Sequence, residues 1–196
     1  MLHYFVLYKP YEVLSQFSKE GDKKTLKDIC VVPGDVYPVG RLDYDSEGLL
    51  LLTNDRTMNA ALLHPDKAHS RSYLVQVEGK ITKQAVLQLQ NGVEISVNGA
   101  KYLTKPAQVQ LLKDDPLLPD RYPPIRFRKN VPTSWIELTL TEGKNRQVRR
   151  MTAQTGFPTL RLVRYRIGKL SAEGWQSGEL RSYSKKEIES LVFRQP

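Results

Sequence analysis

The sequence of 196 residues predicts an α+β protein built on a central mixed, mostly antiparallel β-sheet. Segments with strand-like patterns outnumber segments with helical spacing, and a favoured hairpin turn, Asn98-Gly99, joins two of the strand-like segments. Hydrophobic residues make up 40% of the chain, which is enough to build a buried core. Length alone favours one domain or two small ones.

The predicted strands are rich in aromatic and β-branched residues or alternate between polar and apolar side chains. They are HYFVLYKP, VYPVGR and GLLLLTN on either side of the turn DYDSE, SYLVQVEG, the two segments around Asn98-Gly99, SWIELTLTEG, TLRLVRYRIG and GELRSYS. The stretch from Asp114 to Pro132 is rich in proline and charge, which predicts a long loop.

Capping residues and helical spacing predict the helices. The expected helices are a short one capped by Thr25 and ending at Ile29, one capped by Asn54 or Asp55 and ending at Leu63, Thr82–Asn91 before Gly92, Asn145–Thr155 before Gly156, and a last one opened by a capping box of Ser184 and Glu187.

Composition limits the class of protein. No stretch approaches the roughly 18 consecutive apolar residues of a membrane span, and the N-terminus lacks the features of a signal peptide, so we expect a soluble, cytoplasmic protein. Cys30 is the only cysteine, so a disulfide framework is excluded. The residue itself is most simply a buried apolar side chain. The three histidines show no metal-ligand spacing.

The net charge of +9 is concentrated in the second half of the chain. Residues 1 to 98 carry 11 Lys and Arg against 12 Asp and Glu, a balance of −1, whereas residues 99 to 196 carry 19 against 9, a balance of +10. A purely solubilising surface would spread the charge more evenly. The asymmetry therefore favours a basic surface that binds a polyanion, most simply a nucleic acid.

The turn DYDSE contains the carboxylates Asp43, Asp45 and Glu47. Their alternation raises a calcium loop as a candidate, but an EF-hand register beginning at Asp43 places Asn54 at the final bidentate position and an apolar run before it. A solvated acidic turn accounts well for Asp45 and Glu47. In an extended backbone, however, Arg41 and Asp43 project to one side while Leu42 points to the core, which places a carboxylate beside a guanidinium.

The segment EGKNRQVRRMTAQTG places Lys144, Arg146, Arg149 and Arg150 at the start of a predicted helix. Cations are unfavourable there because a helix N-terminus carries partial positive charge, unless an anion such as phosphate binds at that end. Burial of Val148, Met151 and Thr152 would leave the arginines on or near the exposed side, so we expect an RNA-binding surface; a merely solvated charged face is the alternative.

Two further basic stripes accompany aromatic residues. The first is Arg126, Arg128 and Lys129, the second is Arg161, Arg164, Arg166 and Lys169, and the interleaved aromatics are Tyr122, Phe127, Trp135 and Tyr165. Aromatic rings beside arginines suit the unstacked bases of single-stranded or looped RNA. Trp135 and Tyr165 lie in strand patterns, however, so burial in the core is an equally good interpretation of these two.

The segment GRLDYDSEGLLLLTND resembles the signature of the RsuA/RluB/E/F group of bacterial ribosomal RNA pseudouridine synthases. Five other segments resemble that group in the same order along the chain: YKPYEVL, SYLVQV, EGKNRQVRRM, LRLVRYRIG and GELR. The matches span Leu7 to Arg181, and the stretch PPIRFRKNVPTSWIELTLTEGKNRQVRRMTAQTGFPTLRL resembles members that act on large-subunit (23S) ribosomal RNA.

The resemblance implies a pseudouridine synthase fold with two subdomains, a cleft between them, and an RNA uridine flipped into that cleft. Asp43 would be the catalytic nucleophile or base, paired with Arg149. Tyr73 would pack against the uracil and help deprotonate it, Arg41 would hold or replace the flipped base, and Leu162 would line the pocket. Unstacking costs a few kcal/mol, which an aromatic platform and a nearby cation can offset.

The resemblance also implies that no cofactor and no metal is required. Many relatives carry an N-terminal S4-type RNA-binding domain, whereas here the catalytic motifs begin almost at residue 1, so we expect residues 1–196 to be one catalytic domain. RNA would then be bound by the basic face of that domain, including Lys144, Arg146 and Arg150. A monomer is the default oligomeric state.

Two other functions remain open from sequence. A non-catalytic RNA-binding or ribosome-assembly module would keep the basic face, but it would gain nothing from a carboxylate facing phosphates. A metal-dependent phosphodiesterase would use Asp43, Asp45 and Glu47, but no histidine or second carboxylate cluster supports it.

Overall fold

The computed structural model of the chain describes residues 1–64, 69–126 and 128–193. The strands are β1 (Tyr4–Lys9), β2 (Val13–Leu14), β3 (Lys24–Thr25), β4 (Tyr37–Pro38), β5 (Glu47–Thr53), β6 (Arg71–Glu78), β7 (Glu94–Val97), β8 (Ala100–Leu103), β9 (Gln108–Leu111), β10 (Thr133–Leu140), β11 (Thr159–Ile167), β12 (Leu170–Ser171) and β13 (Leu180–Tyr183). The helices are α1 (Arg56–Leu63), α2 (Lys83–Asn91), α3 (Gln147–Gln154) and α4 (Lys185–Val192).

Nine of these strands form one sheet in the order β13-β1-β5-β11-β6-β10-β9, with β4 added to β5 and β12 added to β11. The pairings within this sheet are antiparallel except for the parallel contact between β5 and β11. The hairpin β7–β8 and the short pair β2–β3 lie outside it. The predicted α+β class with a mixed, mostly antiparallel sheet is therefore confirmed.

The parallel contact joins the part of the sheet formed by β13, β1 and β5 to the part formed by β11, β6, β10 and β9. Its register pairs Val163 with Glu47 and Arg164 with Gly48. Gly48 has φ of 103°, and a Cβ atom at this position would lie 2.4 Å from the backbone oxygen of Arg164. A glycine is therefore needed here both for the backbone conformation and for the close approach of the two strands.

Three hydrophobic clusters cover the sheet. One packs α1 and α4 against it, a second packs α2 and α3 against β6, β9 and β10, and a third surrounds β1 and β5 with residues such as Leu26 and Leu42. The sheet thus carries two subdomains, one around β1 and β5 and one around β6 and β10, with a cleft between them.

Local capping explains the helix boundaries. The side chain of Asp55 accepts hydrogen bonds from the backbone amides of Thr57 and Met58 at the start of α1, and Thr82 caps α2 in the same way. Ser184 and Glu187 form the predicted capping box of α4. Each of these three predicted helices is confirmed within one or two residues.

Three predictions differ from the structure. The segment VYPVGR contributes only the two-residue strand β4, and the helix expected after Thr25 is a single 3-10 turn, Leu26–Asp28. The strand β9 was not predicted, because its sequence QVQL is short and buries only Val109 well.

The free thiol of Cys30 is buried, as predicted. In the described part of the chain, no helix has the length and apolarity needed to cross a membrane.

Candidate active site

A cleft of about 840 Å³ lies between the two subdomains. It is bordered by the acidic turn before β5, by β6 and β11, and by the segment between β10 and α3. The predicted site residues that line it are Arg41, Asp43, Tyr73, Lys144, Arg146 and Leu162. Arg149 and Arg150 are not among its lining residues. The structure thus brings together most of the predicted site from segments far apart in sequence.

Leu42 anchors the acidic turn to the core. Its backbone N–H donates to Ser15 Oγ at 3.1 Å, and the Ser15 hydroxyl donates back to the carbonyl of Leu42 at 2.7 Å. Leu42 is buried, whereas Arg41 is exposed and Asp43 is partly exposed at the cleft. The expected arrangement of these three side chains is therefore observed, although the segment is an irregular loop and not a strand end.

Arg146 links the acidic turn to the start of α3. Its two terminal nitrogens donate to the two carboxylate oxygens of Asp45, each at 2.8 Å, and Nη1 also lies 3.8 Å from Asp43 Oδ2. Arg146 has φ of 50°, a left-handed conformation that is uncommon for a side-chain-bearing residue. A bidentate ion pair of this kind fixes the orientation of the guanidinium.

Arg149 contacts Asp45 and not Asp43, which differs from the pairing implied by the resemblance. Its Nε lies 3.3 Å from Asp45 Oδ2, and Nη2 donates to the backbone oxygen of Asp45 at 2.5 Å. The Arg149 side chain is only 12% exposed, because it is enclosed between α3 and the acidic turn. Burial lowers the pKa of Arg149, and the nearby Asp45 carboxylate opposes that effect.

Asp45 therefore organises both arginines. Burial alone would raise the pKa of Asp45, but the hydrogen bonds from Arg146 and the attraction of Arg149 outweigh it, so the pKa is lowered. The anion expected at the N-terminal end of the basic helix is thus supplied by the protein itself. Arg146 remains partly exposed beside it.

The interpretation of Glu47 as part of a solvated turn is wrong. Glu47 is the first residue of β5, and its side chain is 2% exposed. The carboxylate accepts hydrogen bonds from Nε and Nη2 of Arg161 at 2.9 and 2.8 Å. The carboxylates of Asp45 and Glu47 are thus both paired with arginines. In the described residues no group of three or more His, Cys, Asp or Glu side chains could hold a metal ion.

Arg164 is a residue of the cleft that sequence reasoning placed on the surface. It is paired across the sheet with Tyr73, lines the cleft, and is almost completely buried. Its Nε donates to the backbone oxygen of Leu49 at 2.7 Å. Burial lowers the pKa of Arg164, whereas the hydroxyl of Tyr73 opposes that effect. With the buried Leu162, Tyr73 and Arg164 form the floor of the cleft.

The hairpin β7–β8 is fastened to the segment before α3. The hydroxyl of Tyr102 donates to the carboxylate of Glu142, which is the main cause that raises the pKa of Tyr102 to about 12. Lys144 Nζ lies 4.7 Å from the centre of the Tyr102 ring. Arg150, which does not line the cleft, donates to the backbone oxygen of Ser96 at 2.6 Å, so its guanidinium holds the hairpin.

The second basic stripe was expected on the surface, but two of its four residues are not there. Arg161 and Arg164 are directed into the protein, so a surface role for them is wrong. Trp135 is buried and Tyr165 is packed against the core, which settles the two interpretations of these aromatics in favour of the core. Tyr122 is exposed, and Phe127 lies outside the described residues.

Comparisons with known proteins agree with this architecture. The family model described as RNA pseudouridylate synthase matches residues 3–154. A ribosomal large subunit pseudouridine synthase E of Vibrio vulnificus is 49% identical over 176 residues, which cover 90% of this chain and 73% of that protein. A protein of the same name from Xanthomonas axonopodis pv. citri is 50% identical over 165 residues, covering 83% and 84%.

A solved structure gives the same result for the fold. The crystal structure of a pseudouridylate synthase superimposes with a TM-score of 0.77 at 29% sequence identity, covering 98% of this chain and 74% of that chain. The resemblance drawn from the motifs is therefore confirmed. The chain belongs to the RNA pseudouridylate synthase family, whose members are isomerases.

Proposed function

We propose that the protein converts a specific uridine of 23S ribosomal RNA to pseudouridine, with Asp43 as the catalytic nucleophile or base. The observation that carries the proposal is the difference between Asp43 and the other carboxylates of the acidic turn. Asp45 and Glu47 are each held by bidentate hydrogen bonds from an arginine, whereas Asp43 faces the cleft with Arg146 at 3.8 Å. Asp43 is therefore the carboxylate available to a substrate.

The reaction exchanges one glycosidic bond for another. The bond between N1 of uracil and C1′ of the ribose breaks, the detached uracil turns, and C5 forms the new bond to C1′. The proton leaves C5 and N1 gains a proton, so substrate and product contain the same atoms and no oxidant or reductant is consumed. Asp43 supplies the nucleophile or base for this sequence, whether attack begins at the sugar or at the base.

The other cleft residues bind and orient the flipped uridine. Tyr73 offers a ring against which uracil packs and an oxygen that helps remove a proton, while Leu162 closes the apolar side of the pocket. Arg41 is exposed at the rim, where it can hold or replace the flipped base. Arg149 acts on Asp43 indirectly, since it fixes Asp45 beside it.

The basic residues at the start of α3 bind the RNA backbone. Lys144 and Arg146 line the cleft, and phosphate groups would complement their charge. Arg150 contributes by holding the hairpin β7–β8 beside that surface. The choice of large-subunit ribosomal RNA follows the names of the Vibrio and Xanthomonas relatives.

Release of tritium from C5 of uridine in 23S RNA tests the proposal. The wild-type protein should release one tritium for each uridine converted, and Asp43→Asn should bind RNA with similar affinity but release none. Asp45→Asn is the matched comparison, because it changes a carboxylate of the same turn that does not contact substrate; it should slow tritium release but not abolish it. Equal release from wild type and Asp43→Asn would refute the catalytic assignment. Binding without release by the wild type would instead support an RNA-binding module.

A further inference from the structure

We propose that residues 119–126 and 128–132, called here the proline-rich loop, form a second RNA-contact surface that takes an unpaired nucleotide flanking the target uridine. In this proposal Tyr122 stacks on the base of that nucleotide, and Arg126, Arg128 and Lys129 bind the adjoining phosphates. The inference rests on the proposed function, since it concerns how the same RNA is held outside the cleft.

Arg121 fixes the loop near its start. Its guanidinium carbon lies 3.7 Å from the centre of the Tyr11 ring, a close cation–π contact. Its Nε donates to the carbonyl of Pro123 at 2.9 Å, and Nη1 donates to the carbonyl of Leu160 at 3.4 Å. The backbone on both sides of Tyr122 is therefore held in place by its neighbour Arg121.

A second anchor ties the start of the loop to the buried ion pair. Arg161, which holds Glu47, also donates from Nη2 to the carbonyl of Pro119 at 2.7 Å. Leu118 packs against the hydrophobic cluster beneath α1 and α4. Pro119 and Arg121 are thus both attached to the body of the protein, one residue before and one residue after Asp120.

Tyr122 is held outward by this anchored backbone. It is 89% exposed, in contrast to Trp135 and Tyr165, the other described aromatics of the basic stripes. A single exposed aromatic residue is common on protein surfaces and carries little meaning alone. A ring presented by a fixed backbone beside a guanidinium is, however, the arrangement that binds an unstacked base, and it loses little conformational freedom on binding.

The charge of the loop supports a polyanion as the partner. Between residues 119 and 132 the sequence contains four cationic side chains, Arg121, Arg126, Arg128 and Lys129, against one acidic side chain, Asp120. Arg126, Arg128 and Lys129 are exposed. Arg128 lies 3.1 Å from Glu78, but both side chains are open to solvent, so a phosphate can replace that carboxylate at little cost.

The loop is also continuous with the rim of the cleft. The ring of Tyr11 supports Arg121, and the next residue, Glu12, donates its backbone N–H to the carbonyl of Tyr44 at 2.9 Å. Tyr44 lines the cleft beside Asp43. A strand of RNA that leaves the cleft over Tyr44 therefore meets Tyr11 and Arg121 next, which places Tyr122 near a nucleotide that flanks the target.

Substitution of Tyr122 tests the stacking contact. We expect Tyr122→Ala to weaken binding of 23S RNA fragments by about tenfold, as loss of one base-stacking contact does, and to leave tritium release at saturating RNA unchanged. Tyr122→Phe should bind as the wild type does, because stacking needs the ring and not the hydroxyl. Tyr37→Ala is the matched control, since Tyr37 is 61% exposed on β4 at the far end of β5 and should have no effect.

Wild-type affinity of Tyr122→Ala, or an equal loss in Tyr122→Phe, would overturn the stacking contact. A triple change of Arg126, Arg128 and Lys129 to Gln should lower the slope of log affinity against log salt by about 2, whereas changing the exposed Lys27, Lys83 and Lys186 to Gln should not. Equal slopes for the two triple variants would overturn the phosphate contacts. Failure of the proposed function shows separately, as a wild-type protein that releases no tritium.

Discussion

The carboxylate of Asp45 accepts a hydrogen bond from each terminal nitrogen of Arg146, both at 2.8 Å, although the two residues are 101 positions apart in sequence. This ion pair joins the acidic turn of the first subdomain to the basic helix of the second. Asp43 lies two residues from Asp45 and is 3.8 Å from the same guanidinium. The position of Asp43 relative to the basic helix therefore depends on Asp45.

Asp45→Asn should lower the turnover number at saturating RNA by about tenfold to a hundredfold, since an error of about 1 Å in the placement of reacting groups has effects of that size. The free energy of unfolding should fall by about 1–3 kcal/mol, because Asp45 is itself partly exposed but the Arg149 guanidinium, which loses its counter-ion, is only 12% exposed. Single-turnover tritium release and urea unfolding measure the two quantities. Glu94→Gln, which removes the exposed pair with Lys101, should change neither; an unaltered rate in Asp45→Asn would contradict a positioning role.

Glu47→Gln should destabilise the fold strongly. The side chains of Glu47 and Arg161 are 2% and 11% exposed, so removing the carboxylate leaves a buried guanidinium without its counter-ion. Breaking a buried pair in this way costs about 3–5 kcal/mol. Urea unfolding should show that loss, compared with less than about 1 kcal/mol for Glu179→Gln, which removes the exposed pair with Arg181. Similar losses in the two variants would show that the buried pair contributes little.

Lys144→Ala and Arg150→Ala should affect RNA binding differently. Lys144 lines the cleft, so its removal should reduce the slope of log affinity against log salt by about 0.7 to 0.9. Both terminal nitrogens of Arg150 donate within the protein, to Ser96 O and Asn145 Oδ1, so Arg150→Ala should leave that slope unchanged. It should instead increase proteolysis within the hairpin β7–β8. A slope reduced equally by both changes would place Arg150 against phosphate.

The stability of the fold should depend on pH through Lys9. Its Nζ is fully buried and donates to the carbonyls of Pro10 and Val13, and burial lowers the pKa of Lys9 from 10.5 to about 7. Between about pH 7 and 10 the unfolded chain binds a proton at Lys9 that the folded chain does not. The contribution of Lys9 to the free energy of unfolding therefore rises with pH in that window, by up to about 1.4 kcal/mol per unit.

Urea unfolding of the wild type and of Lys9→Met at several pH values measures this contribution. The free energy of unfolding of the wild type, minus that of Lys9→Met, should increase as the pH rises from 7 to 10. Lys83→Met, a change at an exposed lysine of α2, should give a difference that does not depend on pH. A constant difference for Lys9→Met as well would mean that this lysine is protonated in the folded protein.

Local patterns in the sequence were sufficient for most elements of the fold. The apolar run Leu49–Leu52 predicted β5, and the capping side chain of Asp55 located the start of α1. The strand pattern of SYLVQVEG likewise located Tyr73. These features depend on neighbours in sequence, so no knowledge of tertiary contacts was needed.

The partners of charged residues could not be predicted in the same way. Glu47 and Arg161 are 114 residues apart, and each has the sequence context of a solvated surface residue. Arg164 is surrounded by a basic stripe in sequence but points into the cleft floor. The choice of Asp45 over Asp43 as the contact of Arg149 is likewise set by how α3 packs against the acidic turn, which the motif alone does not encode.

The parallel contact between β5 and β11 determines when during synthesis the site can exist. A nascent chain that ends after β10 already contains Asp43 and Tyr73, but it lacks Arg146, Leu162 and the strand that lies against Gly48. Its carboxylate then has neither the basic helix beside it nor a closed pocket. The cleft therefore forms only after β11 has been synthesised, and a shorter nascent chain has no assembled site.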